Sequence, residues 1–375
     1  MQTHSTSYMN NKIAYTASCI FNGSDLLERH AIIVKDGVIE AVLPLVSLDE
    51  SIPVTDFGDS YIVPAFIDLQ LYGAHGRLLS AFPDVTTVEA IVAHCATGGT
   101  RYCMPTVATN TYETIFKCID AVREYYRQGG KGVLGLHVEG PWLNKIKRGA
   151  HNAEWIFSPS VQQVTELLDY GEGVVKYITL APEECSPEVI ELIRSRNIFI
   201  SAGHSNATYE QATQAFNNGI ELATHLYNAM SALQHREPGM VGAIFNHPVA
   251  KASIVADGYH VDFAALRIAK KIMGERLFVI TDAVTETSEG YYQHVPEGDK
   301  YTSNGILSGS ALKMNKAVKN LVEHAGIALP EALRMCSLYP ARAVNISDET
   351  GMIKQGYRAD LTVLSKEFEL VGMID

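Results

Sequence analysis

The residues best suited to chemistry stand where apolar runs break off: Glu139 after GVLGLHV, His204 after IFISAG, His225 after ELAT and Asp282 after LFVIT. One carboxylate and two imidazoles form a three-ligand set for a divalent ion that leaves one tetrahedral position open, as hydrolysis requires, whereas structural zinc sites are closed by four ligands. No local signature such as HExxH links Glu139, His204 and His225, so each must come from a different strand. A single strand-end histidine is as readily a packed ring bonded to a carbonyl. Three such groups at the ends of three runs point instead to a metal site. Strands buried on both faces read as near-continuous apolar residues, so charged groups are tolerated only where a barrel opens to its loops.

Eight runs can supply such ends: YIVPAFIDL, RYCMPTVA, GVLGLHVEG, KYITLAPE, IFISAGHS, ELATHLY, KASIVADG and LFVITDA. Between them, amphipathic stretches predict helices over 86–97, 112–127, 160–170, 187–196, 208–218 and 262–273, with more around 311–325 and 330–338. Eight alternating strands close a parallel barrel, so the predicted fold is α/β, a (β/α)8 TIM-like barrel over residues 61–344. Residues 12–60 hold short β-like runs such as NKIAYTASCIF, and the tail GYRADLTVLSKEFELVGMI returns to strands. Residues 1–60 and 345–375 therefore read together as a small β-sandwich domain built from both chain ends.

A chain of 375 residues with 47% hydrophobic content can bury one large core and a smaller satellite. Its formal net charge of −12 argues against nucleic acid as a partner and leaves small anions held by local basic groups. The opening MQTHSTSYMNNK lacks the apolar core of a signal peptide, and no run reaches membrane-spanning length. The expectation is a cytoplasmic protein with no membrane association. Cys19, Cys95, Cys103, Cys118, Cys185 and Cys336 are scattered without a CxxC pair, as suits reduced, buried thiols. With no GxxxxGK[ST], no GxSxG and no GxGxxG after the first strand, kinase, serine hydrolase and dinucleotide readings lack support.

The segments GLHVEGPWLN, RGAHN, SAGHSNAT, THLYNAMS, VADGYHVD and ITDA, in this order, resemble the N-acetylglucosamine-6-phosphate deacetylases of the amidohydrolase superfamily. The resemblance runs from about Tyr61 to the C terminus. It implies a (β/α)8 barrel with a small β domain, and release of acetate from an N-acetylated amino sugar 6-phosphate. Glu139, His204 and His225 match the metal ligands, Asp282 the catalytic carboxylate, and His151 and His260 the histidines that contact substrate. The ion is expected to be zinc, although ferrous iron accepts the same ligands. Asp282 would act as general base and then general acid, and His151, twelve residues past Glu139, would polarise the acetyl carbonyl. In YNAMSALQHREPG, Asn228, the Ala229 amide and Arg236 are candidate phosphate contacts. The resemblance implies a homodimer in which Arg236 reaches across the interface, the plainer reading being a surface arginine paired with Glu237. Leu307 to Ser310 would form a glycine-bearing loop against the ligand.

The chain departs from the wider superfamily at the first strand, where Gln70-Leu71-Tyr72 stands in place of the HxH pair that binds a second metal. One ion is expected. Tyr72 leaves three readings open: it narrows the cavity, donates a hydrogen bond or packs. His75 in YGAHG reads as a solvent-facing loop residue and is kept off the ligand list. His137 shares a strand face with Glu139 and either supports the site or fills a barrel layer as a hydrogen-bonded ring. The rivals are an N-acetylgalactosamine-6-phosphate deacetylase, a cyclic-amide hydrolase, and a catalytically silent sugar-phosphate binding protein. Intact Glu139, His204, His225 and Asp282 argue against the last.

Overall fold

Eight parallel strands follow one another in chain order around a barrel: Phe66–Leu71, Thr100–Ala108, Leu136–Glu139, Val175–Leu180, Phe199–Ala202, Leu222–Ala223, Lys251–Val255 and Leu277–Ile280. They belong to a computed structural model that describes residues 12–303 and 305–375. The polar opening, residues 1–11, which the sequence reading assigned to the β domain, lies outside the described residues. Ladder bonds join each strand to the next. The last seam closes just past the strand ends, where the Asp282 N–H donates to the Gln70 carbonyl at 2.9 Å and the Tyr72 N–H to the Ala283 carbonyl at 2.8 Å. On the same seam the buried Asp68 carboxylate accepts the Thr281 N–H at 3.1 Å.

A helix follows every strand: Val85–Ala96, Tyr112–Arg127, Val161–Tyr170, Pro187–Ser195, Tyr209–Asn217, Gly239–Asn246, Phe263–Met273 and Met314–Glu323. Asp84, Thr111, Ser160, Ser186, Thr208 and Asp262 cap six of them by accepting a backbone N–H, a device worth about 1 kcal/mol each. Gly239–Asn246 has no counterpart among the predicted helices. Its sequence GMVGAIFN is apolar and buried from Gly239 to Ile244, so it carries no polar face from which a helical period could be read.

The barrel interior is partly polar. His137 donates its Nδ1–H to the Leu69 carbonyl (3.1 Å) and meets Thr179 Oγ1 through Nε2 (2.8 Å), and Thr179, Thr224 and Ser201 continue the chain of bonds at 2.6–2.7 Å. His137 is thus a fully buried, hydrogen-bonded ring within a barrel layer.

The run YIVPAFIDL splits into two strands. Ser60–Pro64 joins a five-stranded sheet with Leu370–Ile374, Leu361–Ser365, Cys19–Phe21 and Leu26–Leu27, while Phe66–Leu71 opens the barrel. A second sheet orders Val38–Pro44, His30–Lys35, Lys12–Thr16 and Val54–Asp56. Ile20, Ile32, Ile39, Ile62, Leu361 and Val363 share a core between the two sheets, a β-sandwich fed from both chain ends. Asp360 ties it to the barrel by accepting from Arg101 Nε (3.0 Å) and Tyr102 Oη (2.5 Å).

Between the last barrel strand and Met314–Glu323, residues Val295–Glu297, Lys300–Ser303 and Ile306–Ser310 form a three-stranded antiparallel sheet. The expected loop at Leu307 to Ser310 is therefore a strand. Its polar ILSGS sequence conceals the β pattern, and Ser310 pairs with the segment after Asp282, its N–H donating to the Asp282 carbonyl at 2.9 Å. All six cysteines are free thiols. Among the described residues no helix is long and apolar enough to cross a membrane.

Candidate active site

Glu139, His204, His225 and Asp282 stand at or just past the C-terminal ends of barrel strands, and the last three begin a sharp turn. His204 (φ 47°), His225 (φ 38°) and Asp282 (φ 55°) adopt the left-handed region that costs a non-glycine residue about 1–2 kcal/mol. The turn ends the ladder and aims the side chain across the barrel mouth. It also explains why the sixth strand is only Leu222–Ala223: His225 leaves the strand direction, its N–H held instead by Ser253 Oγ at 2.8 Å. Before His204, the backbone at Gly203 crosses the polar layer so closely that a Cβ would sit 2.7 Å from Thr179 Cγ2.

The groups converge. His225 Nε2 lies 3.1 Å from Glu139 Oε1 and 3.1 Å from His204 Nε2, and His204 Nε2 lies 3.3 Å from Glu139 Oε1. His151 Nε2 approaches the other oxygen, Glu139 Oε2, at 3.3 Å. Ligand atoms of Glu139, His151 and His204 lie within 4.8 Å of one another. Glu139 is only 1% exposed. Burial raises its carboxyl, but the surrounding imidazoles of His151, His204 and His225 outweigh that and hold it well below the usual carboxylate range. His204 Nδ1 faces the Lys147 carbonyl at 2.9 Å, so it carries the proton and leaves the Nε2 lone pair toward Glu139 and His225. The His204 lone pair, the His225 Nε2 atom and one anionic oxygen turned on a common point suit a divalent cation.

Asp282 is buried beside this cluster. Burial raises its pKa, the nearby His225 lowers it and the Glu139 charge raises it again, for a net upward shift. Burial and the adjacent His204 push the pKa of His151 down. These residues line a cavity of about 200 Å³ with His260, Asn228, Ala229, Leu307, Ser308 and Gly309.

Of the residues expected at the site, Glu139, His204, His225, His151, Asp282, His260, Asn228, Ala229 and Leu307 share this cavity, whereas Arg236 stands exposed outside it. His75 is exposed, edge-on to His94. The sequence reading missed Asp257, which braces His260 through its Nδ1 at 2.6 Å and accepts the N–H groups of Tyr259 and His260. Its position two residues after an apolar run, ahead of a histidine, was the available signal. Tyr292 and His294, which also line the cavity, had none, because they sit in the segment read without secondary structure.

The first strand contributes Gln70 and Tyr72. Gln70 Nε2 lies 3.0 Å from Glu139 Oε1, 2.9 Å from Asp282 Oδ1 and 2.7 Å from Tyr72 Oη, and Tyr72 Oη donates to Glu139 Oε2. Of the readings left open for Tyr72, the hydrogen bond is present, and the ring also lines the cavity.

Such a barrel and mouth are shared with known proteins. Residues 61–373 match the Amidohydrolase family and residues 13–59 the NagA composite domain. The chain belongs to the amidohydrolase family. More narrowly, it is 34% identical over 374 residues to the N-acetylglucosamine-6-phosphate deacetylase of Haemophilus influenzae, covering 97% of this chain and 98% of that one. It is 33% identical over 350 residues to the N-acetylgalactosamine-6-phosphate deacetylase of Escherichia coli O157:H7, covering 90% and 91%. The crystal structure of N-acetylglucosamine-6-phosphate deacetylase from Pasteurella multocida superposes with a TM-score of 0.92 at 34% identity, covering 97% of this chain and 98% of that one.

Proposed function

We propose that this chain hydrolyses the N-acetyl amide of N-acetylglucosamine 6-phosphate, giving glucosamine 6-phosphate and acetate. The observation that carries the reading is the convergence of Glu139, His204 and His225 on one point of a cavity that also receives Asp282. Those three hold one divalent ion, zinc or, on the same donors, ferrous iron. When bound, the ion supplies a hydroxide nucleophile near neutral pH and polarises the amide carbonyl.

The protein does the rest. Asp282 accepts the proton of the attacking water and returns it to the nitrogen, because an amine leaves poorly unless protonated. His151 donates an N–H to the carbonyl oxygen as charge builds there, a contact worth roughly 3 kcal/mol in comparable sites. This role keeps His151 out of the ligand set: a fourth protein ligand would close the position the reaction needs. His260, held by Asp257, faces the sugar, with Leu307 as a wall. Asn228 and the Ala229 amide take the phosphate. Exposed Arg236 completes the phosphate site of a second copy in a homodimer, where its planar guanidinium can pair two phosphate oxygens. The barrel that opens with Phe66–Leu71 carries this chemistry, and the β domain drawn from both chain ends supports it. A phosphorylated sugar does not cross membranes unaided, which puts the enzyme in the cytoplasm.

The similarity to an N-acetylgalactosamine-6-phosphate deacetylase gives a second reading, the C4 epimer as substrate. Acetate release by the zinc-loaded protein from each epimer tests both. We expect the gluco substrate to have the higher kcat/KM; a higher value for the galacto substrate selects the second reading, and no acetate from either ends both.

A further inference from the structure

Where a second cation would need lone pairs, this chain presents hydrogens. The corner between Glu139 and Asp282 is filled by Gln70 and Tyr72, both neutral. The Gln70 amide nitrogen faces the oxygens of Glu139 and Asp282, at 3.0 and 2.9 Å, the orientation that ionised carboxylates require. Tyr72 Oη, at 2.7 Å, is a third neighbour sharing that nitrogen's two hydrogens, and the phenol hydrogen itself goes to Glu139 Oε2. Glu139 is thereby divided. Oε1 faces His204 and His225, whereas Oε2 is engaged by Tyr72 and His151. Tyr72 cannot easily withdraw, because its N–H is bonded to the Ala283 carbonyl and its carbonyl to the Leu79 N–H, at 2.8 and 2.9 Å.

We propose that Tyr72 is a positioning residue that takes the place of a second metal ion: its hydroxyl fixes Glu139 to offer the catalytic ion one oxygen, and with Gln70 it keeps any other cation out. The proposal rests on the metal site described above. Two consequences separate. Loss of the hydroxyl alone leaves Oε2 to His151 and weakens the hold on the one ion, since removing such outer hydrogen bonds commonly costs 10–100-fold in metal affinity. Loss of both donors in favour of imidazoles opens a second site.

The test measures zinc, not turnover. Wild type, Tyr72→Phe and the double variant Gln70→His/Tyr72→His are stripped with chelator and reloaded. Bound zinc per chain is then counted by elemental analysis, and affinity is read by competition with a chromophoric chelator. We expect one ion in wild type, one in Tyr72→Phe with roughly 10–100-fold weaker affinity, and two in the double variant. Tyr72→Phe keeps the ring and its packing, so a purely structural residue would leave affinity unchanged; that result overturns the proposal, as do two ions in wild type or only one in a folded double variant. If the double variant does not fold, Tyr72→Phe decides. Wild type that binds no zinc ends the functional reading as well, whereas one tightly held ion in both wild type and Tyr72→Phe ends only this inference.

Discussion

Asp282 and Glu139 are both buried carboxylates, yet their surroundings push them in opposite directions, up for the first and down for the second. That divergence suits the proposed division between a proton carrier and a metal ligand. Glu139→Ala is therefore expected to lose bound metal, and elemental analysis will read it. Asp282→Asn keeps metal and substrate while turnover falls by at least about 100-fold in a steady-state acetate assay. Asparagine also tolerates the left-handed backbone at this position, so its circular dichroism should match wild type. His151→Asn should lower kcat by about 100-fold with metal content intact; lost metal would make His151 a ligand instead. The positions of Glu139, His204, His225 and Asp282 were legible because each interrupts an apolar run. The grip of Tyr72 on Glu139 was not, since it depends on how a side chain at a strand end crosses to another strand.

At the scale of elements, the hairpin that follows the first strand holds Tyr72 in place. Gly73–Ala74 pairs with Arg77–Leu78, and a Cβ on Gly73 would lie 2.3 Å from the Arg77 carbonyl oxygen and 2.8 Å from Leu78 Cα. Those are backbone atoms with no easy retreat. Gly73→Ala should destabilise the protein by about 1–3 kcal/mol in denaturant unfolding; an unchanged midpoint would mean the hairpin yields freely. The eight strands were readable as apolar runs separated by amphipathic helices. Helix Gly239–Asn246 was hidden by being apolar all round, the division of YIVPAFIDL by the uniform burial of both halves, and the sheet ending at Ser310 by its small polar residues. Inward-facing Thr179, Ser201 and Thr224 satisfy one another across three strands, a relation that no single run can disclose.

For the molecule as a whole, the seam between first and last strands governs both stability and assembly. Burial pushes the Asp68 carboxyl up to about 7 from an ordinary 3.8, against hydrogen bonds from Thr281 and Gln70. Between those values the folded state keeps a proton that the unfolded chain has released. The contribution to stability is complete below the lower value and is lost as pH rises through the upper one. Asp68→Asn imitates the protonated acid, so wild type should lose stability relative to this variant by up to about 1.4 kcal/mol per pH unit as pH rises through that window. Parallel curves from urea unfolding across the window would show that Asp68 is ionised throughout. If Arg236 serves a neighbour's site, mixing Arg236→Ala with Asp282→Asn subunits should restore activity that neither variant has alone. That both chain ends meet in one sandwich was legible from the strand-like tail; the strand order was not, because pairing across such distances leaves no periodic trace.

The Asp282 amide that completes the wall of the barrel belongs to the residue proposed to carry the proton, and it bonds a partner 212 positions earlier. A ribosome must finish most of the polypeptide before either the ring or the reaction centre exists. Prematurely terminated fragments are thus inert by construction, and no half-made copy can begin consuming the cell's amino sugars.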